Sequence, residues 1–170
     1  KGKLLTRMSA FWFSQTGQIV PNHLIATEVA KFPAPLTKFA DQLEGRSMLV
    51  KKCRRIDYEC VVRGYITGSL MAEYEVARGS AKNGTVSLHG FKFPDNLVEA
   101  QKLSEPIFTP ATKSDSGHDE NISFQRVADD IGVELANRLR ATSIALYNWV
   151  SVYSRSRGVI IADTKFEFGF

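Results

Sequence analysis

Asp163, Lys165 and Glu167 occupy alternate positions of Asp-Thr-Lys-Phe-Glu-Phe-Gly, directly after the apolar run Val159-Ile160-Ile161-Ala162. Successive side chains of an extended strand point to opposite faces. The three charged groups therefore share one face at roughly 7 Å intervals. Thr164, Phe166 and Phe168 share the other face, which belongs against a core. Carboxylate oxygens suit a hard cation such as Mg²⁺, and a lysine between them suits phosphate oxygens. The plainer alternative is a half-exposed strand with ordinary surface charge.

A second candidate lies in Glu59-Cys-Val-Val-Arg63-Gly-Tyr-Ile-Thr67-Gly68-Ser69. Alternation puts Glu59, Val61, Arg63 and Tyr65 on one strand face. The strand runs into Thr-Gly-Ser and then a helix, so Ser69 falls near a helix N-terminus. Free N–H groups and the helix dipole favour an anion there, and Arg63 adds a fork for a carboxylate or phosphate. Alternatively, Thr67 or Ser69 merely caps the helix and Arg63 pairs with Glu59 or another neighbour. A third candidate is the Pro-anchored loop 106–121, which gathers hydroxyls with Lys113, His118 and Asp119. Loops held by a rigid scaffold often carry binding residues, although a solvated surface loop is polar too. No GxSxG elbow, P-loop, GxGxxG or Ser–His–Asp arrangement competes.

The elements that must position these groups are legible from periodicity. Residues 3–15 and 36–43 read as helices, stopped by Gly17 and Gly45. Residues 48–53 and 58–66 read as two antiparallel strands around a short polar connection. Residues 69–78 are helical in composition, and 80–121 read as a long loop punctuated by Gly, Pro, Ser and Asp. Ser123 is placed to cap a helix reaching about residue 131. A longer helix follows, striped by Leu135, Leu139, Leu146, Trp149, Val150 and Tyr153 and closed by Gly158. The run 159–162 is expected to be a buried strand. The order of elements is that of an α+β protein.

Length and composition bound the rest. The 170 residues, 44% hydrophobic and 24% charged, describe one ordinary domain or two small ones. No apolar run approaches the roughly 20 residues of a membrane span, and no basic-then-apolar leader opens the sequence. Cys53 and Cys60 have neither CxxC nor zinc-ligand spacing and read as buried thiols of a reducing compartment, so the cytoplasm is expected. The net charge of +4 suits a small phosphorylated ligand. Nucleic acid is not expected, because the basic residues are scattered and cluster only at 51–55.

Together, the runs YECVVRGYITGS, EPIFTPATKSDSGHDEN and GVIIADTKFEFG resemble the conserved blocks of the SAICAR synthetase family, the phosphoribosylaminoimidazole-succinocarboxamide synthases. The opening KGKLLTRMSAFWF and the run VPNHLIAT are similar too, in the same order. The resemblance implies an α+β, two-lobed architecture of kinase-like or ATP-grasp-like form, with antiparallel sheets and flanking helices. Residues 1–54 would be the remainder of a nucleotide-binding lobe with its hinge, and 55–170 a substrate and ATP–Mg²⁺ lobe. The implied reaction is an ATP-dependent condensation of a carboxylated aminoimidazole ribonucleotide with L-aspartate. The alternative is a small-molecule kinase of similar lobed form. A basic nucleic-acid-binding domain is a remote third.

By the same resemblance, Asp163, Lys165 and Glu167 match the ATP–Mg²⁺ strand, with Glu167 and Asp163 as metal ligands and Lys165 on phosphate or carboxylate. Arg63, Gly68 and Ser69 match positions that hold the ribonucleotide. Lys113, His118 and Asp119 match a loop lining the ribonucleotide and aspartate pocket. Lys51 and Lys52 belong to the hinge that meets adenine, and Glu59 would anchor a lysine or the ribose of ATP. The sequence departs from the family pattern at Asp57, where proline is usual, and in a loop one residue shorter before His118. A phosphate loop is expected ahead of Lys1, and a further acid-rich strand with a substrate arginine after Phe170. The 170 residues alone are therefore expected not to turn over. Self-association is implied, without a number of copies.

Overall fold

The periodic apolar positions of the opening residues form helix α1 (Gly2–Thr16), on which Leu4, Leu5, Met8 and Phe11 are exposed. The computed structural model describes residues 1–113 and 120–170, so His118 and Asp119 lie outside the described residues. The chain forms two compact units, one of residues 1–54 with 169–170 and one of residues 55–168. In the first unit, strand β1 (Leu24–Ala26) is followed by a 3-10 turn (Val29–Lys31) and two short helices, α2 (Ala34–Thr37) and α3 (Ala40–Leu43). Strand β2 (Leu49–Val50) pairs antiparallel with β1. A small core of Ala26, Val29 and Phe32, with Ala40, Leu43 and Leu49 against it, holds these pieces together.

The structure departs from two expectations in this unit. The strand expected over 48–53 shrinks to Leu49–Val50 and pairs with β1, not with the strand at 58–66. The polar stretch Lys51–Lys52 that follows has no apolar face to bury, so extension stops. The helix expected over 36–43 is two separate turns, because Pro35 can start a helix but a four-residue turn gains little by continuing.

The second unit is organised on strand β3 (Tyr58–Tyr65), whose interior residues are all buried. Its two faces differ in character. Cys60 and Val62 pack with Phe108, Leu139 and Tyr147. The opposite face carries Glu59, Val61 and Arg63. Helix α4 (Gly68–Arg78) follows, and then a hairpin of β4 (Thr85–Leu88) and β5 (Phe91–Pro94). Leu70, Met71 and Tyr74 of α4 pack with Val86 and Phe93 of the hairpin. The fully buried Tyr74 hydroxyl donates to the Pro94 carbonyl at 2.6 Å and accepts from Leu97 N–H at 3.0 Å. Strands β6 (Lys102–Phe108) and β7 (Ala111–Thr112) pair antiparallel along one edge of β3.

Residues 80–121 are thus not one loop: four short strands lie within them. Each is no longer than seven residues, and Val86, Phe93, Leu103 and Ile107 share one buried core with α4. That contact is invisible to local periodicity.

Helix α5 (Phe124–Ile131) begins where expected, with Ser123 Oγ accepting from Arg126 N–H at 3.2 Å. Helix α6 (Val133–Arg155) buries Leu139, Ser143, Leu146, Tyr147 and Val150. It approaches β3 closely at Gly64, where a side-chain Cβ would stand 1.9 Å from the Tyr147 hydroxyl. Strand β8 (Asp163–Phe166) completes the sheet on the other edge of β3. The run before it is not the buried strand expected, since Val159 and Ile160 are 51% and 65% exposed. Of the cysteines, Cys60 is buried as expected and Cys53 is exposed. Among the described residues, no helix is long and apolar enough to cross a membrane.

Candidate functional site

The antiparallel register decides which charges meet. Arg63 lies opposite Asp163 and Val61 opposite Lys165. Residues directly opposite share a sheet face, so Glu59 and Arg63 of β3 stand on the same face as Asp163 and Lys165. Exposure along β8 alternates as the sequence pattern predicts, with Asp163, Lys165 and Glu167 exposed and Thr164, Phe166 and Phe168 half-buried. The two expected charged segments therefore form one wall.

Glu59 is the hub of its lower half. The residue is 7% exposed. Its Oε1 accepts from Lys113 Nζ at 3.1 Å, and its Oε2 lies 3.2 Å from Lys165 Nζ in an ion pair. Lys113 Nζ also contacts Glu167 Oε1. These bonds, first to Glu167 and then to Glu59, push the Lys113 pKa above its ordinary value. Two carboxylates and two ammonium groups thus alternate and cancel in charge. The Glu59 Oε2 atom is buried and makes no hydrogen bond of proper geometry.

Arg63 organises the upper half. The buried guanidinium donates through Nε to Thr109 Oγ1 at 3.0 Å and through Nη2 to Ser69 Oγ at 3.1 Å. Burial pulls its pKa below the ordinary arginine value, while Asp163 and Glu73 act in the opposite direction. Gly68 has φ +57, a backbone conformation that costs residues with a Cβ, and a Cβ placed there would meet no atom within 4 Å. The turn into α4 is therefore both glycine-dependent and open on that side. Asn121 Nδ2 reaches Ser69 Oγ at 3.3 Å and Glu73 Oε1 at 2.6 Å, and His89 Nε2 contacts Glu73 Oε2.

Pattern reading does not single out Thr109, Glu73, His89 or Asn121. Glu73 has a usable signal, because it stands one helical turn beyond Ser69 and so on the same face of α4. His89 has none: only the packing of the β4–β5 hairpin on α4 delivers it. Arg63 does not pair with Glu59 but bonds its neighbours Thr109 and Ser69, and Thr67 makes no side-chain cap bond to α4. Lys51 and Lys52 are exposed and belong to the other unit, where Lys51 N–H donates to the His23 carbonyl at 2.8 Å.

A divalent cation meets a clear geometric limit. Asp163 and Glu167 are four residues apart on an extended chain, roughly 13 Å, so one ion between them would need both side chains at full stretch. Glu167 and Glu59 both touch Lys113 and do lie together, with Glu59 Oε2 buried against Lys165 Nζ. Among the described residues no cluster of three or more metal-binding side chains occurs, so a cation here would need ligand oxygens from its own partner, as Mg²⁺ takes from phosphates. A separate groove of about 610 Å³ between β6 and α6, lined in part by Gly64, Leu103, Tyr147 and Arg155, opens on the opposite face of β3.

The profile of the SAICAR synthetase family matches residues 1–170. The chain is 52% identical to a phosphoribosylaminoimidazole-succinocarboxamide synthase of Geobacter metallireducens, over 99% of this chain and 55% of that protein. It is 51% identical to the enzyme of that name from Elusimicrobium minutum, over 99% of this chain and 56% of that protein. Among solved structures, a SAICAR synthase from Saccharomyces cerevisiae complexed with SAICAR is similar at a TM-score of 0.83 and 44% identity, covering 99% of this chain and 55% of that one. The chain thus spans about half the length of the curated relatives it matches.

Proposed function

The chain belongs to the SAICAR synthetase family, and on that premise we propose that it supplies substrate-binding and phosphate-binding walls of an ATP-dependent ligase of purine synthesis. The ligase condenses 5-amino-1-(5-phosphoribosyl)imidazole-4-carboxylate with L-aspartate, giving SAICAR, ADP and phosphate. A carboxylate is a poor electrophile. Transfer of the γ-phosphoryl group of ATP to the imidazole carboxylate forms an acyl phosphate and ADP. The aspartate amine then attacks the acyl carbon, phosphate leaves with the C–O bonding pair, and the amine loses a proton. Little covalent work falls to the protein, whose task is positioning and charge neutralisation.

The observation that carries this reading is the Glu59 hub. A nearly buried carboxylate holds Lys113 and Lys165 side by side on the open face of the sheet, where two ammonium groups can meet phosphate oxygens without first overcoming their mutual repulsion. In this reading Glu167 faces Mg²⁺, which when bound would screen the phosphoryl oxygens. Asp163 instead balances Arg63. Arg63 and Ser69, beside the open backbone of Gly68, hold the ribonucleotide. Lys113, His118 and Asp119 belong to the loop beside it, and Lys51 and Lys52 to the ATP-binding hinge. That the yeast enzyme, at 44% identity, forms a complex with SAICAR supports a pocket for the same compound here. A cytoplasmic location and self-association are part of the same reading.

An ADP-release assay on the intact protein tests it. Release should require ATP, Mg²⁺, aspartate and the carboxylated ribonucleotide together. Release that continues without aspartate would replace the ligase with a kinase.

A further inference from the structure

Ser69 Oγ sits at the end of a hydrogen-bond chain whose polarity is set from one end. A carboxylate can only accept, so the group that Asn121 turns to Glu73 Oε1, 2.6 Å away, must be its NH₂. The second proton of that NH₂ goes to Ser69 Oγ at 3.3 Å. Arg63, which can only donate, reaches the same oxygen at 3.1 Å. A hydroxyl has two acceptor lone pairs and one proton. Both lone pairs of Ser69 are therefore taken, and no described residue takes its proton. His89 occupies the other Glu73 oxygen and holds the carboxylate in place.

We propose that Glu73 and Asn121 are positioning residues that make Ser69 an obligate hydrogen-bond donor toward an oxyanion, the phosphate ester of the ribonucleotide ligand. This rests on the placement of that ligand at Arg63 and Ser69 in the proposed function. Without Glu73 the Asn121 amide is free to flip. The Ser69 proton then turns inward to Asn121 Oδ1, and the lone pair not held by Arg63 faces the phosphate.

Calorimetric titration of the intact protein with 5-aminoimidazole-4-carboxamide ribonucleotide, and separately with its riboside, reads the device directly. Ser69→Ala should lower the preference for the nucleotide by about tenfold or more, as loss of a hydrogen bond to a charged group does. Glu73→Leu, which removes the acceptor, should lower it similarly and leave riboside affinity unchanged. In a Ser69→Ala background, Glu73→Leu should add nothing further. The sign is diagnostic: removing a negative charge would by itself strengthen phosphate binding, whereas loss of the oriented donor weakens it. Asn121→Ala gives the same test should Glu73→Leu not fold. Nucleotide binding as tight as wild type in Glu73→Leu and Asn121→Ala, with Ser69→Ala impaired, overturns the inference and spares the proposed function. Unchanged preference in both Ser69→Ala and Arg63→Lys overturns the two together.

Discussion

Gly64→Ala concentrates much of the architecture in one methyl group. The added Cβ would lie 1.9 Å from Tyr147 Oη and 2.7 Å from Cζ, distances that no pair of atoms tolerates. The β3 backbone is held on both edges, by β6 and β8, so the tyrosine must move. The adjoining groove between β6 and α6 gives the ring somewhere to go. Moving it breaks the 2.8 Å bond from the Tyr147 hydroxyl to the Ile161 carbonyl, about 1 kcal/mol net. Repacking an overfilled site adds roughly 1–3 kcal/mol. The expected destabilisation is therefore about 2–4 kcal/mol. Urea unfolding followed by Trp149 fluorescence in a Trp12→Phe background reports the second unit alone. The midpoint should fall with an unchanged slope. Tyr147→Ala in combination with Gly64→Ala should cost less than the two separate losses summed. A Gly64→Ala midpoint within error of the parent, or strictly additive losses, would refute the claim that this glycine exists to admit the tyrosine.

Tyr74→Phe strands the buried Leu97 N–H and removes the donor to the Pro94 carbonyl and should cost about 1–3 kcal/mol; a loss below ~0.5 kcal/mol in the same unfolding assay would show that water replaces the hydroxyl. Glu59→Gln should cut ADP release by about tenfold or more, because both lysines lose the partner that aligns them, and undiminished turnover would remove Glu59 from the machinery. Burial pushes the Cys60 thiol up to about 12, and burial with the bond to Asp130 pushes Tyr58 up to about 12. The folded state thus resists ionisations that the unfolded chain undergoes from about pH 9. Stability should be flat below that pH and fall between about pH 9 and 12, with Cys60→Ala showing a shallower decline; an alkaline profile identical in the two proteins counts against the thiol's share. A thiol-reactive dye at pH 8 should label Cys53 alone in the native protein, and rapid native labelling of Cys60 would place it outside the core.

Helices α1, α4, α5 and α6 are readable because each writes its own periodicity and stop signals into a contiguous stretch. The same holds for the alternation on β8, where two aromatic residues facing the core force Asp163, Lys165 and Glu167 outward. Strands β4 to β7 are not readable. Short pieces buried by α4 and β3 need no amphipathic pattern of their own, and glycine and proline between them look like loop. Strand β2 is a further case: its partner β1 is selected by the local core at Val29 and Phe32 rather than by proximity along the chain.

The residue types needed for anion and phosphate chemistry at Glu59, Arg63, Ser69, Lys113 and Lys165 are present in the sequence, and so is the family resemblance of its blocks. Their partners are decided only in three dimensions. Antiparallel register sets Asp163 against Arg63 and brings Lys165 to Glu59. Packing of the hairpin on α4 delivers His89 to Glu73. Local sequence dictates which way a side chain points along its own element, because backbone geometry repeats every two or 3.6 residues. Which side chain it meets depends on long-range burial, and that is a property of the whole fold.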